Sequence, residues 1–174
     1  MRNLLALVTF CVGIAIVTTL KSVSAGESMS SGSPPMFPKN HPHLIGTWNC
    51  EVAFPASEGQ KAFKAHPKMT ISDSPNMTLH IRFIHVGQFM SDYYAGYDTK
   101  LKTYWMNAVD TQGGVVVQTS KDGVAYNGTA SYGAERLPIR DTWTAITDSK
   151  LRNVTEIQEH GKWTQNSEAV CTKT

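Results

Sequence analysis

Residues 137–171 read LPIRDTWTAITDSKLRNVTEIQEHGKWTQNSEAVC, three runs separated by Asp148-Ser149 and His160-Gly161. Both dipeptides suit two-residue hairpin turns, and each run alternates with a period of two. The first turn sets Thr147 opposite Lys150. The second sets Glu159 opposite Lys162, a favourable charge pair. An uninterrupted count outward places Trp143 opposite Val154 and Asp141 opposite Glu156. Across the second hairpin, Gln158 meets Trp163, Glu156 meets Gln165 and Val154 meets Ser167. One face then carries Trp143, Ala145, Val154, Trp163, Ala169 and Cys171. The other carries Thr142, Thr144, Asn153, Thr155, Thr164, Asn166 and Glu168, and reads as the solvent side. Two separate turns agree on which face is interior.

The same period of two runs back to residue 44. Short stretches rich in Val, Ile, Thr and aromatic residues alternate with Gly, Asp, Asn and Pro. They predict strands near 46–54, 67–72, 77–86, 88–97, 101–109, 114–120, 124–132, 137–147, 150–159 and 162–171, with one helical turn possible at 58–65. Tight turns between ten short strands predict an all-β, antiparallel, up-and-down barrel of about 8–10 strands, closed or nearly so, because closure removes exposed edges. Beyond the N-terminal segment the chain keeps two cysteines, Cys50 and Cys171, one near each end of the domain. A barrel sets its first and last strands side by side, so the pair is expected to form a disulfide across the seam; two buried thiols are the alternative. Pairing them extends the interior face to Trp48, Val52 and Phe54, with Asn49 and Glu51 outside.

The first 25 residues read as a signal peptide. Arg2 precedes an apolar run from Leu4 to Leu20, and Val23-x-Ala25 suits signal peptidase. An uncleaved anchor is the other reading, since the run approaches the minimum length for a membrane span. Residues 26–43 read as a flexible linker rich in Gly, Ser and Pro, and 44–174 as the barrel domain. Cleavage implies a periplasmic or secreted protein. The formal charge of +2 would fall to zero with Arg2 and Lys21 removed, which offers no electrostatic case for nucleic acid.

Parity also places Asp141, Arg152, Glu156, Gln158 and Gln165 on the inner face. Two facing carboxylates cannot both stay charged cheaply in a dry site. Either they line a pocket for a ligand with polar groups, or they sit at a solvated rim with Arg152 as a surface partner. His85 shares the apolar face of its strand with Leu79, Ile81 and Phe83. It is a candidate ligand contact or axial metal ligand, or else a core residue with a backbone partner. No nucleophile elbow, phosphate loop or zinc spacing appears, so no enzyme is indicated and no catalytic or structural metal residue is assigned.

His43-Leu44-Ile45-Gly46-Thr47-Trp48 resembles the Gly-x-Trp opening of calycin barrels. Gly96-Tyr97-Asp98, Lys102-Thr103-Tyr104 and the tail from Arg140-Asp141-Thr142-Trp143 to Cys171-Thr172-Lys173 are similar to a family of exported, lipocalin-like bacterial domains. That resemblance implies a barrel and an extracytoplasmic home, and no reaction. The leading expectation is therefore a small-molecule binding protein for an apolar or aromatic ligand. Its candidate contacts are Asp141, Glu156, Gln165, Trp143, Trp163, Arg152 and His85. The alternatives are a haem protein ligated by His85 and a ligand-free envelope module with a filled barrel.

Overall fold

The computed structural model describes residues 42–57, 59–74 and 78–174. The expected signal peptide, and the expected linker up to residue 41, lie outside them. After a short 3-10 turn at Pro42–Leu44 come eleven strands: β1 Gly46–Phe54, β2 Phe63–Ala65, β3 Lys68–Ser74, β4 Thr78–His85, β5 Gln88–Asp98, β6 Thr103–Asp110, β7 Val115–Ser120, β8 Ala125–Tyr132, β9 Glu135–Thr147, β10 Lys150–Glu159 and β11 Lys162–Lys173. From β3 to β11 each strand pairs antiparallel with the next, and β1 pairs with both β3 and β11. Ten strands thus close a barrel. The eleventh, β2, pairs with the far end of β1.

β2 and β3 are two halves of one line along β1. Gly46 opposes Ile71, Asn49 opposes Lys68 and Val52 opposes Ala65, all in one register. At the break, Cys50 N–H donates to the Pro67 carbonyl over 3.0 Å. A proline has no N–H to return, so the ladder lapses there. The helical turn considered for 58–65 gives way to this extension of the sheet, with Phe63 stacked on Phe54 at 4.5 Å between centroids.

The two C-terminal turns hold as read, and the β4–β5 turn falls at Val86-Gly87. Glu159 pairs with Lys162 around His160-Gly161, and Thr147 pairs with Lys150. His85 pairs with Gln88 around Val86-Gly87. His160 and Gly161 have φ of +51° and +80°, the left-handed pair that a tight hairpin requires and that glycine tolerates best.

Two bulges overturn the count beyond the turns. Between β9 and β10, the pair after Thr147–Lys150 is Ala145–Leu151, leaving Ile146 extra. Between β10 and β11, Glu156 opposes Gln165 but Thr155 opposes Ser167, leaving Asn166 extra. Trp143 therefore faces Asn153 rather than Val154, and Asp141 faces Thr155 rather than Glu156. The inner set of β10 is Leu151, Asn153, Thr155 and Ile157. Arg152, Val154, Glu156 and Gln158 turn outward, as do Trp163 and Gln165 at the start of β11. The reason is energetic: the shift buries Leu151 and releases Arg152 to water, where it donates to Glu168 over 2.7 Å. Burying a leucine while sparing a guanidinium desolvation outweighs two interruptions of the ladder.

Of the remaining inner positions, Trp48, Val52, Cys50, Ala169 and Cys171 are buried and Asp141 is 3% exposed, whereas Ala145, near the end of β9, is exposed. Cys50 and Cys171 stand directly opposite each other and are joined by a disulfide. Trp48, fully buried, plugs this end; its Nε1 donates to the Leu44 carbonyl over 3.0 Å, and the Lys173 ammonium lies 5.6 Å from its ring centre.

Candidate functional site

The barrel interior is not one continuous apolar mass. Its buried residues form three clusters: one around Trp48 and Phe83, one around Tyr104 and Met106, and one around Ala108 and Ile139. Tyr93 packs against all three, and Trp143 against the first two. Between them the wall becomes polar. Asp141 and Trp143 point inward from β9, Asn153 and Thr155 from β10, and Gln118 from β7.

Each of these positions follows from strand parity. Asp141 alternates with buried Ile139, and Gln118 alternates with Val116 and Ser120. Gln118 reaches toward β9 because the strand between them carries glycine at the crossing point. A Cβ on Gly128 would stand 1.9 Å from the Val117 carbonyl oxygen and 2.8 Å from Gln118 Cγ. No side chain fits there without parting β7 from β8.

Asp141 accepts a hydrogen bond from Thr155 Oγ1, and Asn153 Nδ2 lies 3.5 Å from the same oxygen, Oδ1. Its carboxyl pKa is raised. Burial is the dominant cause, and the pull of Thr155, Gln118 and Asn153 only partly opposes it. The Gln118 amide, 1% exposed, adds this pull although neither of its polar atoms completes a hydrogen bond of full geometry. Trp143 Nε1 is a buried donor without a partner. Buried polar atoms in folded proteins are rarely left so.

Opposite this wall stands Tyr93, inward from β5 between Ile81 of β4 and Ala108 of β6. Burial pushes its phenol well above the ordinary range, and the Asp141 charge pushes it further. Yet Tyr93 keeps accessible surface, as do Trp143, Asn153 and Ser167. These four point inward and are only half-buried.

Asp141 and Trp143 are thus the sequence-derived candidates that stand on this inner wall. His85 also points inward, near the β4–β5 turn, with Nδ1 buried and unpartnered. Glu156, Gln165, Arg152 and Trp163 lie on the outer face. Arg140 pairs with Glu156 and lies 4.6 Å from the Trp163 ring centre, so these three form a surface cluster. The Arg140 hydrogen bond holds the Glu156 carboxyl below its usual range. Gln118, Tyr93, Asn153 and Thr155 were not singled out from sequence. A signal for Gln118 existed: its apolar run, Val115 to Val117, offers valine to both faces and then a polar residue at the inner phase. A hollow of about 580 Å³ over the β1–β11 seam lies outside the wall and belongs to neither set.

The Asp141 carboxyl gives a pH dependence whose sign is fixed. Its pKa is higher folded than unfolded, so its contribution to stability is fully present below the unfolded value and is lost as pH rises through the folded one. Asp141→Asn is therefore expected to be more stable than the parent at pH 8, by about 1–3 kcal/mol. The advantage should shrink toward pH ~4, where the parent carboxyl is protonated. Urea titrations across that range measure it. A variant less stable than the parent at pH 8 would show that the carboxylate is better satisfied than its burial implies.

No family model and no curated protein matches this chain. Among solved structures it is similar to the crystal structure of Rv2717c from M. tuberculosis, with 12% identity and a TM-score of 0.58, over 80% of this chain and 99% of that one. The ywiB protein from Bacillus subtilis aligns at 11% identity and a TM-score of 0.26, over 74% of this chain and 90% of that one, too loosely to bear on the fold. At such identity the likeness to Rv2717c is one of fold: a closed antiparallel barrel, as the strand pairing here shows independently.

Proposed function

We propose that this protein is an exported, lipocalin-like binding protein that holds a small aromatic or apolar molecule, with polar groups of its own, inside the barrel. The observation that carries this reading is Tyr93: deep in the barrel, touching all three core clusters, yet with surface left accessible. A filled structural core would have closed over it. The unpartnered Trp143 Nε1 supports a ligand that brings an acceptor to that wall. Export is supported by the signal-like N-terminal sequence and by the disulfide, a bond kept mainly in oxidising compartments. No helix among the described residues is long and apolar enough to cross a membrane.

A second reading, haem ligated by His85, draws on that residue's inward position and its unpartnered Nδ1. Where haem is bound, its iron would take an imidazole nitrogen as axial ligand.

One titration tests both. Neutral apolar dye (Nile red) and haemin are added separately to purified protein, parent and Tyr93→Trp, in which the larger ring fills the open space. Dye fluorescence that rises with the parent and is lost by about tenfold in affinity in the variant is the expected result. A Soret band that forms with the parent and vanishes in His85→Ala would favour haem instead. Neither signal with the parent would leave a filled barrel, and the binding reading would fall.

A further inference from the structure

Among the described residues five ion pairs form, and their carboxylates belong to Glu51, Asp92, Glu156 and Glu168. All four lie on the outer side of the wall. Asp141, the most buried carboxylate in the barrel, is in none of these pairs. The arginine beside it on β9, Arg140, and the arginine of β10, Arg152, both point outward and are committed to Glu156 and Glu168. The groups that act on the Asp141 carboxyl are neutral: Thr155 and Asn153 both fall on Oδ1, and the Gln118 amide adds its pull without completing a bond of full geometry. Oδ2 accepts from neither Thr155 nor Asn153. Around the carboxyl stand aromatic rings: Tyr126 pairs with Asp141 across β8–β9, Trp143 follows it two positions along β9, and Tyr93 faces it.

We infer that the chamber selects a small organic cation, a primary amine on an aromatic body, with Asp141 Oδ2 as its counter-ion and the rings of Tyr93, Tyr126 and Trp143 as its walls. The inference rests on the chamber reading above and narrows it. An anion would meet a carboxylate and the negative faces of three rings. A neutral guest would leave the buried carboxylate uncompensated. An ammonium offsets that desolvation cost and gains from the ring quadrupoles. Two outward arginines explain why the protein itself does not supply the cation: the bulge at Ile146 that turns Arg152 out leaves the inner position to Asn153.

The titratable groups facing Asp141 are the phenols of Tyr93, Tyr126 and Tyr132, all raised and so neutral from acid to mildly alkaline pH. Asp110, beside Tyr132, is another carboxylate of inner phase, and its Oδ1 accepts the Gln112 and Gly114 amides; Asp73 and Glu135 share that phase at exposed strand ends.

Three probes share one body and differ in charge: 2-phenylethylamine, 2-phenylethanol and phenylacetate. None emits where tryptophan does, so tryptophan emission and thermal shift both report binding. The amine is expected to bind about tenfold or more tighter than the alcohol, and phenylacetate weakest. In Asp141→Asn the amine should lose about tenfold or more while the alcohol keeps its affinity. Should that variant misfold, the parent supplies the same test: from pH 8 to about 4, amine affinity falls as the carboxyl gains its proton, while Nile red binding stays level. Equal binding of amine and alcohol, or Nile red binding with none of the three, overturns the cation inference and leaves the chamber standing. No binding of any probe, dye included, overturns both.

Discussion

Replacing both Cys50 and Cys171 with serine is expected to lower stability by about 4–5 kcal/mol, an upper figure from the entropy of closing so long a loop. The two residues are 121 positions apart and directly opposite on β1 and β11. The bond therefore restrains almost the whole domain in its unfolded state, while the folded seam needs no movement to accommodate it. Both side chains are buried, and serine at each site adds a hydroxyl to the core cluster around Trp48 without a ready partner. Guanidinium titrations of the parent, the double variant and the reduced parent measure the effect. The slope should rise as well as the midpoint fall, because a chain without the cross-link unfolds to a more open ensemble. A double variant within 1 kcal/mol of the parent would mean that the unfolded state is compact without the bond.

The second large effect is expected from Trp48→Ala, about 3–5 kcal/mol. Trp48 is wholly buried and packs within the cluster that contains both cysteines, with Leu44 and Ile45 resting against it. Its indole N–H ties down the Leu44 carbonyl, and its ring carries the Lys173 ammonium, which also bonds the His43 carbonyl. Removing the ring opens a large cavity and releases both chain ends at once. Trp163→Ala is the internal control. That indole sits on the outer face against Arg140, so its loss is expected to cost under about 1 kcal/mol. Equal costs at the two tryptophans would contradict the register of β11.

The contrast between these two tryptophans marks the limit of what alternation reveals. Turn residues are short and chemically distinctive, so His160-Gly161 and Asp148-Ser149 were legible, and with them the ten strands and the seam. On β9, Asp141 and Trp143 came out on the correct side because Ile139 and Trp143 share a phase. On β10 the count slipped, because Leu151, Val154 and Ile157 supply apolar residues to both phases and nothing in the sequence marks Ile146 as extra. A bulge is decided by the sum of burials along the whole strand, here Leu151 against Arg152, and so appears only when three strands are weighed together. That slip moved Glu156 and Gln165 inside and left Asn153 and Thr155 outside. The idea of a polar inner wall survived, with its members exchanged. Tyr93 was out of reach for another reason: its strand carries tyrosine on both faces, at Tyr93 and Tyr94.

Every strand contact but those on β1 joins near neighbours in the chain, since each hairpin from β3 to β11 can form from a few consecutive turns. The β1–β11 ladder alone joins residues from opposite ends, Trp48 with Lys173 and Ala53 with Glu168. The order of assembly follows. A curled meander can gather early and locally, at low contact order, and the cylinder shuts last, when the terminal strand docks on the first. Until that moment both edges are bare, and they are the place where a second, half-folded copy could add its own strand.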